Sequence, residues 1–464
     1  MTNYTIKISN MILKIFLLLI LSLITYYITS TLGLLSVGIF FFILFFTSSV
    51  LVNSNISKKL VVALYFILFF IPTFNFLHSS DINYSAYYAI LVAIFIFILI
   101  LKRRKMQCDA IEIFFLYYLF HAIITWGLKG TLQEYSLITY PFTAFSLYYL
   151  FSYENTSKIT TYFIKILFIT IAIQSLLAIS QSLFGYPVFP NILPDLYGGN
   201  RNYLSILSPS ISSYVKQGSG TFEHFNGLGA LFSLTFPILF GFWYSNKKQP
   251  IRVILLIVTV LGLLSTFSRG ALLGSIIACY SIIALNSKFK KTTFIICLFL
   301  ITTIVFFLKN NIEAYLSNSL NLGIRIDTWQ LAIHDFRIKP LRILFGYGNF
   351  YFHKEVLIGE KGVLSSLHSG WLQIVLEQGM LGSILFFIPV VKIFKEVLSK
   401  EKNLFVLSIM GGIIGFLIHQ LFDNAMFGSL AFLMFSLIGI LKYYENYDLE
   451  KILIFWYGKN YIDG

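Results

Sequence analysis

Residues 251–285 read IRVILLIVTVLGLLSTFSRGALLGSIIACYSIIAL, two apolar runs set end to end with Ser268-Arg269-Gly270 at their junction. A helix needs roughly 20 apolar residues to cross a hydrocarbon core about 30 Å thick, and runs of this kind reach that scale. Within lipid every backbone N–H and C=O must find a partner inside the protein, which makes the runs helices. The strands of an outer-membrane barrel alternate apolar and polar residues, whereas these runs are continuous. A barrel is therefore excluded.

Outward from this stretch the pattern repeats, with spans expected near 11–29, 32–52, 60–77, 84–101, 111–128, 136–152, 161–184, 224–244, 251–267, 269–285, 292–308, 371–391, 404–421 and 425–441. The expected fold class is an all-α, polytopic transmembrane helical bundle of about fourteen spans. Of the 464 residues 57% are hydrophobic and only 12% charged, which excludes an ordinary soluble domain. The first run, Met11 to Thr29 after Lys7, lacks a small-residue cleavage site and is followed at once by a second run, so it reads as a span and not as a signal peptide.

The net charge of +14 does not point to nucleic acid, because the basic residues sit in short clusters between apolar runs. With a cytoplasmic N-terminus, one side collects Lys58 and Lys59, Lys102 to Lys105, Lys247 with Lys248, Lys288 with Lys290 and Lys291, and Lys392 with Lys395. The opposite short loops hold almost none, as the positive-inside rule requires, so both termini are expected in the cytoplasm. Cys108, Cys279 and Cys297 have no metal-ligand spacing and form no credible pair outside the membrane.

This reading divides the chain into N-terminal spans over 1–184, an outer loop over 185–223, further spans over 224–308, a large outer loop over 309–370, the last spans over 371–441 and a cytoplasmic tail over 442–464. Both loops are too long for connectors, and long loops of this kind carry function. In the second, Leu322, Ile326, Trp329, Ile333 and Phe336 form one apolar stripe on a short helix against the membrane face, with Arg325 and Asp327 beside it. Lys339-Pro340 stops that helix, and Gly346-Tyr347-Gly348 gives a tight turn.

The outer side is where chemistry is expected. Arg269 at the junction of two spans has a bland reading, an interfacial arginine that snorkels to water. Against it stand Gly270 and Gly274, which let a ligand or a backbone approach, and the chain's habit of keeping cations inside. His368, where the large loop re-enters the membrane, is the natural general base near neutral pH, although a lone histidine is more often a satisfied polar contact. Glu377 on the following helix and Asp423 in the last outer loop are candidate orienting groups, with helix-end pairing or solvation as the plain alternative. His121 and His419 lie inside spans, and His334 and His353 have no distinguishing neighbourhood. No outer pair of acidic residues is spaced to hold Mg²⁺ or Mn²⁺, so no metal is expected there and a bound pyrophosphate would need arginines, whose planar fork bonds phosphate oxygens bidentately.

These residues resemble the O-antigen ligase and Wzy-type polymerase superfamily of bacterial polysaccharide assembly. Arg269-Gly-Ala-Leu-Leu273 is similar to its arginine, any three, leucine motif, and His368-Ser369, nine residues, then Gly379-Met380-Leu381-Gly382 is similar to its histidine motif. Gly323 to Trp329, Lys339-Pro340 and Phe345 to Gly348 resemble its large outer loop, and Gly220 to Asn226 resembles a further element in which the family usually has proline where this chain has Phe225. The resemblance runs from about Gly218 to Leu441, while the first seven expected spans match only in hydropathy.

The resemblance implies a GT-C-like membrane glycosyltransferase of the bacterial cytoplasmic membrane, working on its outer face without cofactor or metal. Its donor is an undecaprenyl-diphosphate-linked glycan and its acceptor a second glycan, with the lipid bilayer as setting and a chain-length regulator protein as a further partner. Carried over residue by residue, Arg269 and Arg325 bind diphosphate, His368 is the base, and Asn226, Glu377 and Asp423 support them. Polymerisation of lipid-linked repeat units is the first expectation and ligation of the finished glycan to lipid A core the second. A protein-directed oligosaccharyltransferase is more distant. A flippase or transporter of lipid-linked sugars would instead show related halves and midplane ionisable residues, and no convincing internal repeat is present.

Overall fold

A computed structural model describes residues 110–129, 144–145, 147–149, 151–152, 157–184, 217–220, 222, 225–286, 329–330, 333–334, 340–348, 358–359, 362–363, 369–399, 403–423, 429–446 and 456–457. All of them lie in the unit Val62–Gly464. The elements in chain order are α1 (Ala110–Lys129), α2 (Ser157–Phe184), α3 (Phe225–Ser245), α4 (Pro250–Thr266), α5 (Arg269–Asn286), α6 (Pro340–Phe345), β1 (Ile358–Gly359), β2 (Gly362–Val363), α7 (Gly370–Ser399), α8 (Leu404–His419) and α9 (Ser429–Asn446). The strands form one two-residue antiparallel ladder, pairing Ile358 with Val363 and Gly359 with Gly362, which the sequence pattern does not announce.

The chain is a helical membrane protein. Among the described residues four helices are long and apolar enough to cross a membrane, Phe163–Leu183, Phe225–Ser245, Arg269–Asn286 and Gly370–Ser399, and four shorter apolar helices accompany them. Their outward faces stay apolar: Leu116, Phe120 and Ile124 on α1, Ile169, Ile173 and Leu176 on α2, and Ile254, Ile257 and Leu261 on α4 are all exposed at helical spacing. Such faces suit lipid, not water.

Because lipid tails are as apolar as leucine, helices in a membrane gain little from hiding leucines and instead associate through close backbone contact at small residues. Helix α8 uses this route and inserts between α3 and α5. A Cβ on Gly415 would lie 2.5 Å from Ser233 O of α3 and 3.0 Å from Gly274 O of α5, so neither backbone could approach a larger residue there. Helix α2 packs along α4 in the same manner, with Gly262 set against Ser175.

Two short connections fix the ends of this group. Between α3 and α4 the chain turns through 246–249, and the buried Arg252 folds back to donate to Phe242 O, Ser245 Oγ and Gln249 Oε1 while stacking 3.7 Å over the Phe242 ring. Between α4 and α5 only Phe267 and Ser268 intervene. Phe267 takes φ 52° and ψ 20°, a left-handed conformation that costs a non-glycine residue roughly 1–2 kcal/mol. Among the described residues it is the one non-glycine residue with positive φ, and it stands two places before Arg269.

Candidate active site

Arg269 opens α5 and is exposed, so the guanidinium stands at the rim of the bundle and not inside it. Its next residue, Gly270, presses on the turn that follows α8: a Cβ there would sit 3.2 Å from Phe422 Cβ and 3.3 Å from His419 Cδ2. The same turn receives the start of α7. Gly370 N donates to both Gln420 O and Asp423 O at 2.8 Å, and Trp371 Nε1 donates to Leu417 O at 2.6 Å. The first N–H groups of a helix have no partner within it, and here the 420–423 turn supplies one.

Asn226, second residue of α3 and half-buried, joins the same end. One turn further on, Gly229 approaches Ser268 so closely that a Cβ would meet Ser268 Oγ at 2.8 Å. Upstream, Gly218 N donates to Ser265 O at 2.8 Å, and Phe222 N closes a turn onto Ser219 O at 2.9 Å. The segments that carry Asn226, Arg269, Ser369-Gly370 and Asp423, distant in sequence, are therefore neighbours at one end of the helix bundle. His368 and Arg325 lie outside the described residues; Ser369, the immediate neighbour of His368, is buried.

Glu377 sits elsewhere. It lies seven positions into α7, roughly 10 Å along the axis from Gly370 at 1.5 Å per residue, and is only 1% exposed. Gln373 Nε2 donates to its Oε1 at 2.8 Å. Two residues later the helix breaks at Gly379, whose φ 69° and ψ −176° fall in a region that is essentially glycine's alone. The break withholds helical partners from the carbonyls before it, and other segments serve them. Tyr347 N donates to Leu376 O at 2.8 Å, Gly348 N to Glu377 O at 3.0 Å, and Tyr117 Oη of α1 to Gln378 O at 2.7 Å.

The Gly346-Tyr347-Gly348 turn expected from the sequence is thus a plug for the broken helix. Gly346 and Gly348 both have positive φ, 79° and 97°, and a Cβ on Gly346 would lie 2.2 Å from Glu377 O. His121 Nε2 donates to Phe345 O at 2.7 Å and holds the plug from the α1 side. Trp329, Ile343 and Tyr347 pack on the buried Leu376, so the expected apolar stripe reaches α7 through Trp329. Leu322, Ile326 and Phe336 of that stripe lie outside the described residues. Pro340, expected to stop a helix, also starts one: α6 begins there, using proline's fitness for a first helical position.

Two residues that matter to this geometry escaped the sequence pattern: Tyr117 and His121, as polar groups inside an apolar run, are the signal available there. Among the described residues no group of three His, Cys, Asp or Glu side chains is placed to hold a metal ion. Chemically, the described residues at the Arg269 end offer a cation at a rim, backbone junctions held by neutral hydrogen bonds, and the carboxylate of Asp423 on the turn that follows α8.

Residues 229–387 match the family described as O-antigen ligase (Wzy_C). No curated protein matches the chain. The matched stretch runs from Gly229, where α3 meets Ser268, through Arg269 and the plugged break at Gly379.

Proposed function

We propose that this chain, with its O-antigen ligase family domain at 229–387, is a membrane glycosyltransferase that polymerises undecaprenyl-diphosphate-linked repeat units on the outer face of the cytoplasmic membrane. The observation that carries the reading is the junction of Arg269, Asn226, Asp423 and the residues that follow His368 at one end of the bundle. A lipid-linked sugar diphosphate and a sugar hydroxyl need a cation for the leaving group and a base for the nucleophile, side by side at a membrane rim.

In this reading Arg269 and Arg325 bond the diphosphate oxygens bidentately, which fits arginine better than lysine. His368 takes the proton of the acceptor hydroxyl as its oxygen attacks the anomeric carbon in line. The new C–O glycosidic bond forms as the bond from the anomeric carbon to the phosphate oxygen breaks, and undecaprenyl diphosphate departs with the electron pair. Since that diphosphate is already a good leaving group, the site mainly holds charge, excludes water and orients one hydroxyl. Asn226 and Asp423 support the two reacting groups, and Glu377, bonded to Gln373, steadies the first turns of α7, which starts two residues after His368. No metal or cofactor takes part.

A ligase would use the same donor and differ only in its acceptor. The test is deletion of the gene with analysis of surface glycan and carrier lipid. Loss of a polymerase leaves single repeats that still reach their final acceptor, so the surface ladder collapses to one repeat. Full-length polymer stranded on undecaprenyl diphosphate, with bare acceptor at the surface, would overturn the polymerase reading in favour of the ligase. A chain-length regulator protein is the expected partner of the polymerase.

A further inference from the structure

The N-terminal helices have no role in the reading above, yet α2 is hydrogen-bonded to the segment that leads to the Arg269 end through the side chain of Gln181. Gln181 is 2% exposed and spends both ends of its amide on backbone. Its Oε1 accepts from Ser219 N at 2.9 Å and from Gly220 N at 2.8 Å, and its Nε2 donates to Gly220 O at 2.7 Å. Three bonds to two consecutive residues fix that segment in position and in orientation.

The segment is held along α2 and on its far side. Gly218 lies over Ala178 so closely that a Cβ would be 2.4 Å from Ala178 O, and Gly220 passes the Gln174 side chain with φ +58°. From there the chain leaves in two directions that both matter to the site. Gly218 N reaches Ser265 O, four residues before Arg269, and the turn from Ser219 to Phe222 precedes α3, whose second residue is Asn226. Backbone fixed by buried, charge-neutral bonds is what a site for a diphosphate needs, because the arginine must be aimed before the anion arrives.

We infer that Gln181 is a positioning residue of the diphosphate site, its amide holding Ser219-Gly220 so that Asn226 and Arg269 present a preformed cradle to the lipid-linked diphosphate. This rests on the reading of Arg269 as a diphosphate ligand. Gln181 does not touch the substrate. It acts through the backbone of 218–222, and the sequence of that segment matters mainly where glycine is required.

The experiment uses the purified full chain in lipid nanodiscs, with undecaprenyl diphosphate as probe, and measures its Kd together with the unliganded Tm of each variant. All binding is measured at a temperature where the variant is folded. Gln181→Leu removes all three bonds and should raise Kd about tenfold, and Gln181→Glu, which keeps the two accepted bonds, should fall between it and the native protein. A Gln181→Leu Kd within twofold of native, whatever its Tm, overturns the inference and leaves Gln181 a plain structural anchor. Should Gln181→Leu fail to fold, Gln181→Glu decides: weakened binding supports the inference and native binding overturns it. Arg269→Lys is measured in the same series. Native binding by that variant would sink the reading on which the inference rests, whereas loss in Arg269→Lys beside native binding in both Gln181 variants sinks the inference alone.

Discussion

The backbone N–H of Gly370 donates to the carbonyl oxygen of Asp423 at 2.8 Å, joining the residue two places after His368 to the turn that presses on Gly270. A helix start buried in a bundle must find acceptors for its first N–H groups, and this one finds them on a turn more than one helix away. The consequence is that the histidine motif and the arginine motif share a support.

Because the bond to Gly370 uses the Asp423 carbonyl and not its carboxylate, Asp423→Asn keeps the joint and removes only the negative charge. Membrane abundance should stay native, while glycan synthesis falls by about tenfold or more if the carboxylate orients the base. Immunoblotting and the glycan gel, run on one culture, check both halves. Equal loss of protein and of product would make Asp423 a folding residue.

Gly379→Ala tests the plugged break in α7. A side chain there would adopt a glycine-only backbone region with its Cβ 2.3 Å from Leu344 O, so a loss of roughly 2–4 kcal/mol is expected. The 346–348 turn should come away from Leu376 and Glu377 and become a cleavage site. Limited proteolysis of purified protein, native against variant, reads this directly, and identical digestion patterns contradict the role given to the break.

Gly274→Ala and Gly415→Ala probe the contact of α5 with α8. A Cβ on Gly274 would lie 2.4 Å from Gly415 O, and main chain cannot yield as a flexible side chain does. Each variant should cost about 1–3 kcal/mol, and the pair should cost less than the sum because the first already separates the helices. Thermal unfolding in detergent measures both singles and the double.

Hydropathy made most of the helices legible. Helices α3, α4 and α5 fall within a residue or so of the spans expected near 224–244, 251–267 and 269–285, because unbroken apolar length leaves a lipid-embedded chain few alternatives. Helix α7 runs on to Ser399 beyond the expected 391, since the polar residues Lys392, Lys395 and Glu396 extend a helix outside the hydrocarbon as well as they end a span, with Lys392 and Glu396 paired at 3.7 Å. The break at Gly379 was not legible: glycine within a span signals close packing as readily as a break, and nothing local pairs Tyr347 with Leu376. Of the candidate site, the sequence offered Arg269, Asn226 and Asp423 as candidates but not the support shared by their segments, which is made of backbone bonds that carry no residue signature. Gln181 stayed hidden for the same reason, since its partners are the backbone of Ser219 and Gly220.

Arg269→Lys keeps the positive charge and loses the planar fork, so transfer should remain severely impaired, and native activity should survive EDTA. An enzyme that stops in EDTA and recovers with Mg²⁺ contradicts an arginine-only site for the diphosphate. Assays on purified protein with and without chelator decide it.

The most direct measurement is glycosyl transfer by the purified full chain. Lipid-linked repeat units extracted from the source cells are supplied as both donor and acceptor, and products are resolved by gel and mass spectrometry beside His368→Ala. The account predicts a ladder of lengthening glycans on the carrier, one undecaprenyl diphosphate released per bond formed, and no ladder with His368→Ala. Intact single repeats after incubation with folded native protein, or an unchanged ladder with His368→Ala, would contradict it.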